Sequence, residues 1–167
     1  MDGNECLRRV GTLVREGVPS ELCDFQYESF AYQSKLWYGN KSLHYEVWSR
    51  ERLGTIEVGL HFEADPLTNA RLLAAFAASR KAIARRLSDA RIEEWDRGWA
   101  RIWEPLPHRP PDPGLAIELA ERIASYVAVL EPILRRELPS DVAWSEPKAR
   151  RAPAKAAARS RASRSAR

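Results

Sequence analysis

Residues 43–63 read LHYEVWSRERLGTIEVGLHFE, and the fold follows from how they alternate. Leu43, Tyr45 and Val47 are interleaved with His44, Glu46 and Trp48. Beyond a polar stretch, Ile56, Val58, Leu60 and Phe62 are interleaved with Glu57, Gly59, His61 and Glu63. Successive side chains of a strand point to opposite sides, so this period of two describes two half-buried strands joined as a hairpin. A turn centred near Glu51-Arg52 keeps both apolar sets on one side and sets Glu46 roughly opposite Glu57.

A second hairpin is expected in RIEEWDRGWARIWEPL, residues 91–106, turning near Asp96 to Gly98. Trp95, Trp99 and Trp103 are spaced four apart and also fit one side of a helix. Gly98 and the alternation of Trp99, Arg101 and Trp103 favour strands. Residues 27–37 add an edge strand.

Three helical segments surround these strands. Cys6, Leu7, Val10, Leu13 and Val14 recur at helical spacing between Gly3 and Glu16, and Gly17 and Pro19 stop the run. Asp65-Pro66 and Asp112-Pro113 each pair a capping carboxylate with a proline suited to the first helical position. The first pair opens a long helix with the stripe Leu72, Leu73, Phe76, Ile83 and Leu87. The second opens the last helix, from Leu115 to Leu134, in which Pro132 predicts a kink near Ala128. The order α-β-β-β-α-β-β-α predicts an α+β fold: an antiparallel sheet of two hairpins and an edge strand, packed by two long helices and an N-terminal helix.

The chain has 167 residues, a length that suits one domain. Its charge is divided unevenly. Lys148, Arg150, Arg151, Lys155, Arg159, Arg161, Arg164 and Arg167 lie in a stretch without one acidic residue, PKARRAPAKAAARSRASRSAR, residues 147–167. The remaining 19 basic residues face all 23 acidic ones, a net of −4, so the basic character belongs to the tail. The expected organisation is one α+β domain over residues 1–146 and a disordered tail over 147–167, because the tail has no large apolar residue to offset the entropy of ordering.

Several function classes lose their usual cues. Cys6 and Cys23 stand alone, with no CxxC and no histidine pair, which argues against a disulfide framework or a cysteine zinc site. The N-terminus, MDGNECLRRV, carries no apolar run of a secretory signal, and no apolar segment is long enough to span a bilayer. A cytoplasmic location is expected. No GxGxxG, Walker loop or GxSxG is present, so no cofactor is expected from a motif.

Three constellations are candidates for function. His44, Glu46, Glu57, His61 and Glu63 share the polar side of the first hairpin; two imidazoles and three carboxylates there can hold a divalent metal, or serve as the ordinary solvated side of a strand. Trp95, Trp99, Arg101 and Trp103 can stack nucleobases, or pack as core with a cation–π contact. The basic tail can contact phosphates without reading sequence, or act only as a solubilising segment.

The stretch HYEVW, then IEVGLHFE, Asn69, the helix of Phe76, Ile83 and Leu87, Trp95, and the Arg101-Ile102 strand resembles a bacterial domain family of unknown function often fused behind restriction-type nuclease domains. The resemblance covers residues 43–138 and rests on core-type residues. It implies an α+β accessory domain associated with DNA metabolism or defence, without established catalytic residues to carry over. The leading expectation is therefore a non-enzymatic accessory or interaction module, DNA-associated through its tail, with an unidentified protein partner. The alternatives are a small metal-dependent enzyme using the hairpin's polar side, and a homo-oligomeric structural protein pairing through its tryptophans.

Overall fold

The computed structural model describes residues 1–138. The basic tail residues and the expected domain boundary at residue 146 lie outside them. The first hairpin forms as β3 (Leu43–Arg50) and β4 (Thr55–Phe62), and the second as β5 (Arg91–Glu94) and β6 (Ala100–Pro107). The segment expected as a single edge strand is instead two, β1 (Gln26–Ser29) and β2 (Gln33–Trp37), which pair with each other. All pairings are antiparallel, and the six strands lie in the order β1-β2-β3-β4-β6-β5. The long segment 63–99 separates β4 from its neighbour β6, and every other adjacent pair is a local hairpin.

Helix α1 (Gly3–Gly17) is capped by Asp2, whose carboxylate accepts from the Glu5 N–H, and it buries Cys6, Leu7, Val10 and Val14. Gly11 lets it lie directly on the sheet, because a β-carbon there would stand 2.5 Å from the Tyr27 ring. The helix expected from Asp65 to Leu87 is interrupted at Ser79 into α2 (Pro66–Ala78) and α3 (Arg80–Ala84). The caps at Asp65 and Asp112 form as expected, each accepting from a backbone N–H three residues on. Helix α4 (Pro113–Glu137) runs through Pro132 and buries Leu119, Ile123, Val127, Leu130 and Leu134.

α1, α2 and α4 lie on one side of the sheet. α1 packs on β1 and β2, α4 on β3 and β4, and α2 on β5 and β6. Toward them point Leu36, Tyr45, Val47, Val58, Leu60, Phe62 and Ile102, all essentially inaccessible. Each such side chain contributes roughly 1.5–3 kcal/mol on burial. A carboxylate of α4 enters this apolar layer. Glu131 of α4 accepts from the Tyr45 hydroxyl at 3.0 Å and from Arg135 Nε at 3.0 Å. Burial pushes its carboxyl above the usual range, against those two donors.

Among the described residues the other side of the sheet has no helix over it, and it carries the candidate residues. Its register corrects one expectation. The first hairpin closes through a 3-10 turn, Glu51–Leu53, followed by Gly54 in the left-handed region at φ 65°. The pairing therefore sets Glu46 opposite Gly59 and Glu57 opposite Trp48. Glu46 and Glu57 share a side of the sheet but do not face each other.

Candidate metal centre on the outer side of the sheet

The sequence suggests that the polar side of the first hairpin is solvated. The structure buries it: His44 and His61 are each 1 % exposed, and Glu46 and Glu57 are nearly as covered. The reason lies in the strand order. β3 and β4 are central strands, flanked by β2 and β6, whose long side chains lie over them. Lys35 of β2 sits across from Glu46, and Arg101 of β6 across from His61. Trp95 meets the His61 ring edge-on at 5.5 Å. Gly59 makes room for this layer, since a β-carbon there would come within 2.6 Å of the Trp103 side chain.

His44, Glu46, His61 and Glu63 converge. One ligand atom from each lies within 4.8 Å of all the others. His44 and His61 are opposite one another in the register and their rings stack, 5.6 Å between centroids and 15° apart. The His44 Nδ1 lies 2.9 Å from the Lys41 carbonyl oxygen, which can only accept, so Nδ1 carries the proton. In the neutral ring Nε2 is then a bare lone pair, and it points at the Glu46 carboxylate 3.2 Å away. Two acceptors facing each other repel unless a cation lies between them: a proton on the ring, or a metal ion. A carbonyl holding Nδ1–H is also the usual way a protein fixes the tautomer of a metal-ligating histidine.

His61 presents the matching deficit. Its Nδ1 is buried with no hydrogen-bond partner and lies 3.9 Å from Glu63 Oε1. Glu63 Oε1 is also 4.0 Å from His44 Nε2. A tetrahedral zinc ion with bonds of about 2.0–2.1 Å holds its donors about 3.3 Å apart. The observed separations are 3.2, 3.9 and 4.0 Å, so the His44–Glu46 pair already has that spacing and Glu63 would have to draw in by about 0.6–0.7 Å.

The protonation states suit a cation. Burial lowers the His61 pKa to about 3, which keeps its ring neutral and available as a ligand at physiological pH. Burial pushes the Glu46 carboxyl up, but a proton on the His44 Nε2, where no metal takes its place, and the surrounding positive charge outweigh it and hold the group at about 2. Part of that charge is Lys35, whose Nζ lies 3.3 Å from Glu46 and 3.7 Å from Glu63. The cluster is largely covered, with Glu63 at 21 % and Lys35 at 18 % exposure.

The fifth expected member is elsewhere. Glu57 accepts from Arg50 Nη1 at 2.8 Å and from Arg101 Nη1 at 2.9 Å, which employs both its oxygens. Arg101 links Glu57 to Glu93, and its guanidinium lies 3.8 Å from the Trp103 ring centroid and 4.9 Å from that of Trp95. The Trp103 indole N–H donates to the same Glu93 oxygen. Trp95 and Trp99 tilt against each other, 5.7 Å between centroids. The four residues named for base stacking do gather on this side, but Arg101 and Trp103 are buried within it. The helical alternative for the tryptophans is excluded, because a tight turn at Asp96–Gly98 separates Trp95 from Trp99, with Arg97 at φ 59° and Gly98 at φ 75°. Lys35 and Glu93 were not singled out from the sequence; each stands in a short strand of mixed composition that gives no pattern to read.

Comparison with protein-family models, curated proteins and solved structures finds no match for this chain. Among the described residues, no helix is long and apolar enough to cross a membrane.

Proposed function

We propose that this domain is a metal-binding module that takes up one divalent transition-metal ion, of the zinc class, through His44 Nε2, His61 Nδ1, Glu46 and Glu63. The observation that carries the reading is the pair of histidine nitrogens without a proper partner, both turned toward carboxylates within 4 Å. Two imidazoles and two carboxylates make a four-ligand set that zinc accepts. Because the protein supplies all four donors and covers them, the metal serves structure here. It joins β3 to the end of β4, immediately before the Asp65 cap of α2.

The test uses the full chain, stripped of metal by a chelator and titrated with Co²⁺ and then Zn²⁺. One Co²⁺ per chain should produce the strong visible absorption of tetrahedral cobalt, and one Zn²⁺ should displace it. Removal of either histidine should weaken binding by more than the roughly 10- to 100-fold typical of an outer-sphere partner. The absence of both the cobalt spectrum and a zinc binding heat would end the proposal.

A second reading rests on the sequence. The eight basic residues from Lys148 to Arg167, with no acidic residue among them, support nonspecific contact with nucleic-acid phosphates. Neutralising about six phosphates gives a slope of log K against log salt near −5. A chain ending at Glu146 that binds a random duplex as well as the full chain, with the same slope, would rule this out.

A further inference from the structure

Four glutamates are buried among the described residues: Glu46, Glu57, Glu104 and Glu131. Glu57 divides its two oxygens between Arg50 and Arg101, and Glu131 divides its own between Tyr45 and Arg135. Glu46 and Glu104 are different: their partners all fall on Oε2. Among the described residues, two buried side-chain atoms have no hydrogen-bond partner, His61 Nδ1 and the Tyr126 hydroxyl. The first belongs to the cluster that contains Glu46. The second belongs with Glu104. Both residues line one cavity, and after burial itself the Glu104 charge is the strongest influence raising the Tyr126 phenol. The fold therefore leaves the same kind of deficit in two places.

The second place lies on the helix side of the sheet. Glu104 pairs with Val58, between Ile102 and Leu106, where an apolar side chain is the rule. It is only 4 % exposed, and its one partner is Arg122 of α4, Nη1 at 3.0 Å, a side chain 38 % exposed. A buried carboxylate held by one partly exposed arginine on one oxygen is costly unless something else completes it. Beside it the segment after α3 and the middle of α4 line a partly open cavity of about 300 Å³, with Arg86, Asp89, Glu121 and Arg122 among its walls. That volume is at the lower end of small-molecule sites, roughly 300–1,000 Å³. The only grouping with metal-ligand spacing among the described residues is the one at His44, so a bare metal ion is not what this space fits.

We propose that this cavity binds a small primary alkylammonium compound, with its ammonium group against Glu104 and the Tyr126 hydroxyl. An ammonium has three donors and no acceptor, which suits a carboxylate oxygen and a phenol oxygen that lack donors. The walls agree in sign, with three carboxylates (Asp89, Glu104, Glu121) against two guanidiniums (Arg86, Arg122). The site is separate from the metal cluster, on the opposite side of the sheet, and does not depend on it.

The experiment follows the full chain with three four-carbon probes: putrescine, 4-aminobutyrate and 1,4-butanediol, the last being uncharged. Calorimetry and amide chemical-shift changes at Ser125 and Tyr126 report binding. Both ammonium probes should bind with Kd of about 1 mM or tighter, and butanediol should not. Putrescine ahead of 4-aminobutyrate assigns the second group to Asp89 and Glu121; the reverse order assigns it to Arg86 and Arg122; either supports the site. Glu104→Gln should weaken binding about tenfold or more. Tyr126→Phe keeps the ring and removes the orphan hydroxyl, so it should weaken binding severalfold without lowering the melting temperature of the free chain, and it carries the test if Glu104→Gln does not fold. No binding of either ammonium probe at about 10 mM, equal binding of butanediol, or affinity unchanged in both variants would overturn the proposal.

Discussion

The two sides of the sheet bury their side chains to similar depth and by opposite means. Toward the helices, Tyr45, Val58, Leu60 and Phe62 are covered by other secondary-structure elements. On the outer side, His44, Glu46, Glu57, His61 and Arg101 are covered, among the described residues, by long side chains of neighbouring strands and by Trp95. An apolar interior requires only shape, so it tolerates substitutions that keep volume. A polar interior requires that each donor meet an acceptor, and a single mismatch there is a liability. The outer layer has such mismatches at His44 Nε2 and His61 Nδ1, in the middle of an otherwise paired network. The comparison teaches that deep burial alone does not distinguish core from site; unsatisfied pairing does.

Substitutions on the two sides should separate these modes. Phe62→Ala, which empties a place stacked against Phe76 5.4 Å away, should cost about 3–5 kcal/mol in chemical denaturation, with or without zinc. Gly59→Ala strikes the outer layer from below, where a β-carbon would stand 2.3 Å from the Ile102 carbonyl and 2.6 Å from Trp103. It should cost about 1–3 kcal/mol and weaken metal binding as well, because it displaces the layer that closes the cluster. A Gly59→Ala protein with unchanged zinc affinity would show that the cluster does not depend on the layer that Gly59 accommodates.

The sides should also fail at opposite ends of the pH scale. His61 is lowered by burial to about 3 from an ordinary 6.5. The metal-free fold thus gains full stability from this group above pH 6.5, and loses it as pH falls from 6.5 toward 3. Tyr27, under α1, is raised by burial to about 12 from an ordinary 10. Its contribution is complete below pH 10 and is lost as pH rises toward 12. Melting temperatures of the metal-free chain across this range should fall on both limbs; His61→Phe should flatten only the acid limb and Tyr27→Phe only the alkaline one.

Smaller effects refine the picture. Lys35→Met removes the ammonium that lies beside Glu46 and Glu63. It should destabilise the metal-free chain by about 1 kcal/mol and tighten zinc binding several-fold, since a competing cation is gone. A loss of zinc affinity would instead make Lys35 a support for the metal site. Arg97→Asn, at a residue with φ 59°, should gain about 0.5 kcal/mol by easing the left-handed backbone of the β5–β6 turn, with no change in metal binding.

What the sequence revealed follows the same division. The alternation in 43–63, the α1 stripe and the two Asp-Pro caps are local signals, and they give the elements they imply. The β1–β2 pair escapes such reading because QYES and QSKLW mix polar and apolar residues without clean alternation. The register misses because a 3-10 turn with a left-handed Gly54 shifts the centre of the hairpin toward the C-terminus. The break at Ser79 has no sequence signal, since alanine-rich sequence on both sides favours helix throughout. Four of the five polar residues named on the hairpin do come together, but their burial depends on β2 and β6 lying alongside, which is long-range information. Glu104 and Tyr126, 22 positions apart in the sequence, carry no periodic mark that joins them.

All four members of the cluster lie between residues 44 and 63, near the open end of the β3–β4 hairpin, away from its turn. A bond across that end makes the hairpin a closed ring even before β6 arrives from beyond residue 99. Closing such a ring removes conformational freedom from the unfolded chain, much as a disulfide does. The ion would then act in time as well as in space. Zinc present during refolding should accelerate the folding limb, because the segment it cross-links is the one from which the rest of the sheet grows outward on both flanks.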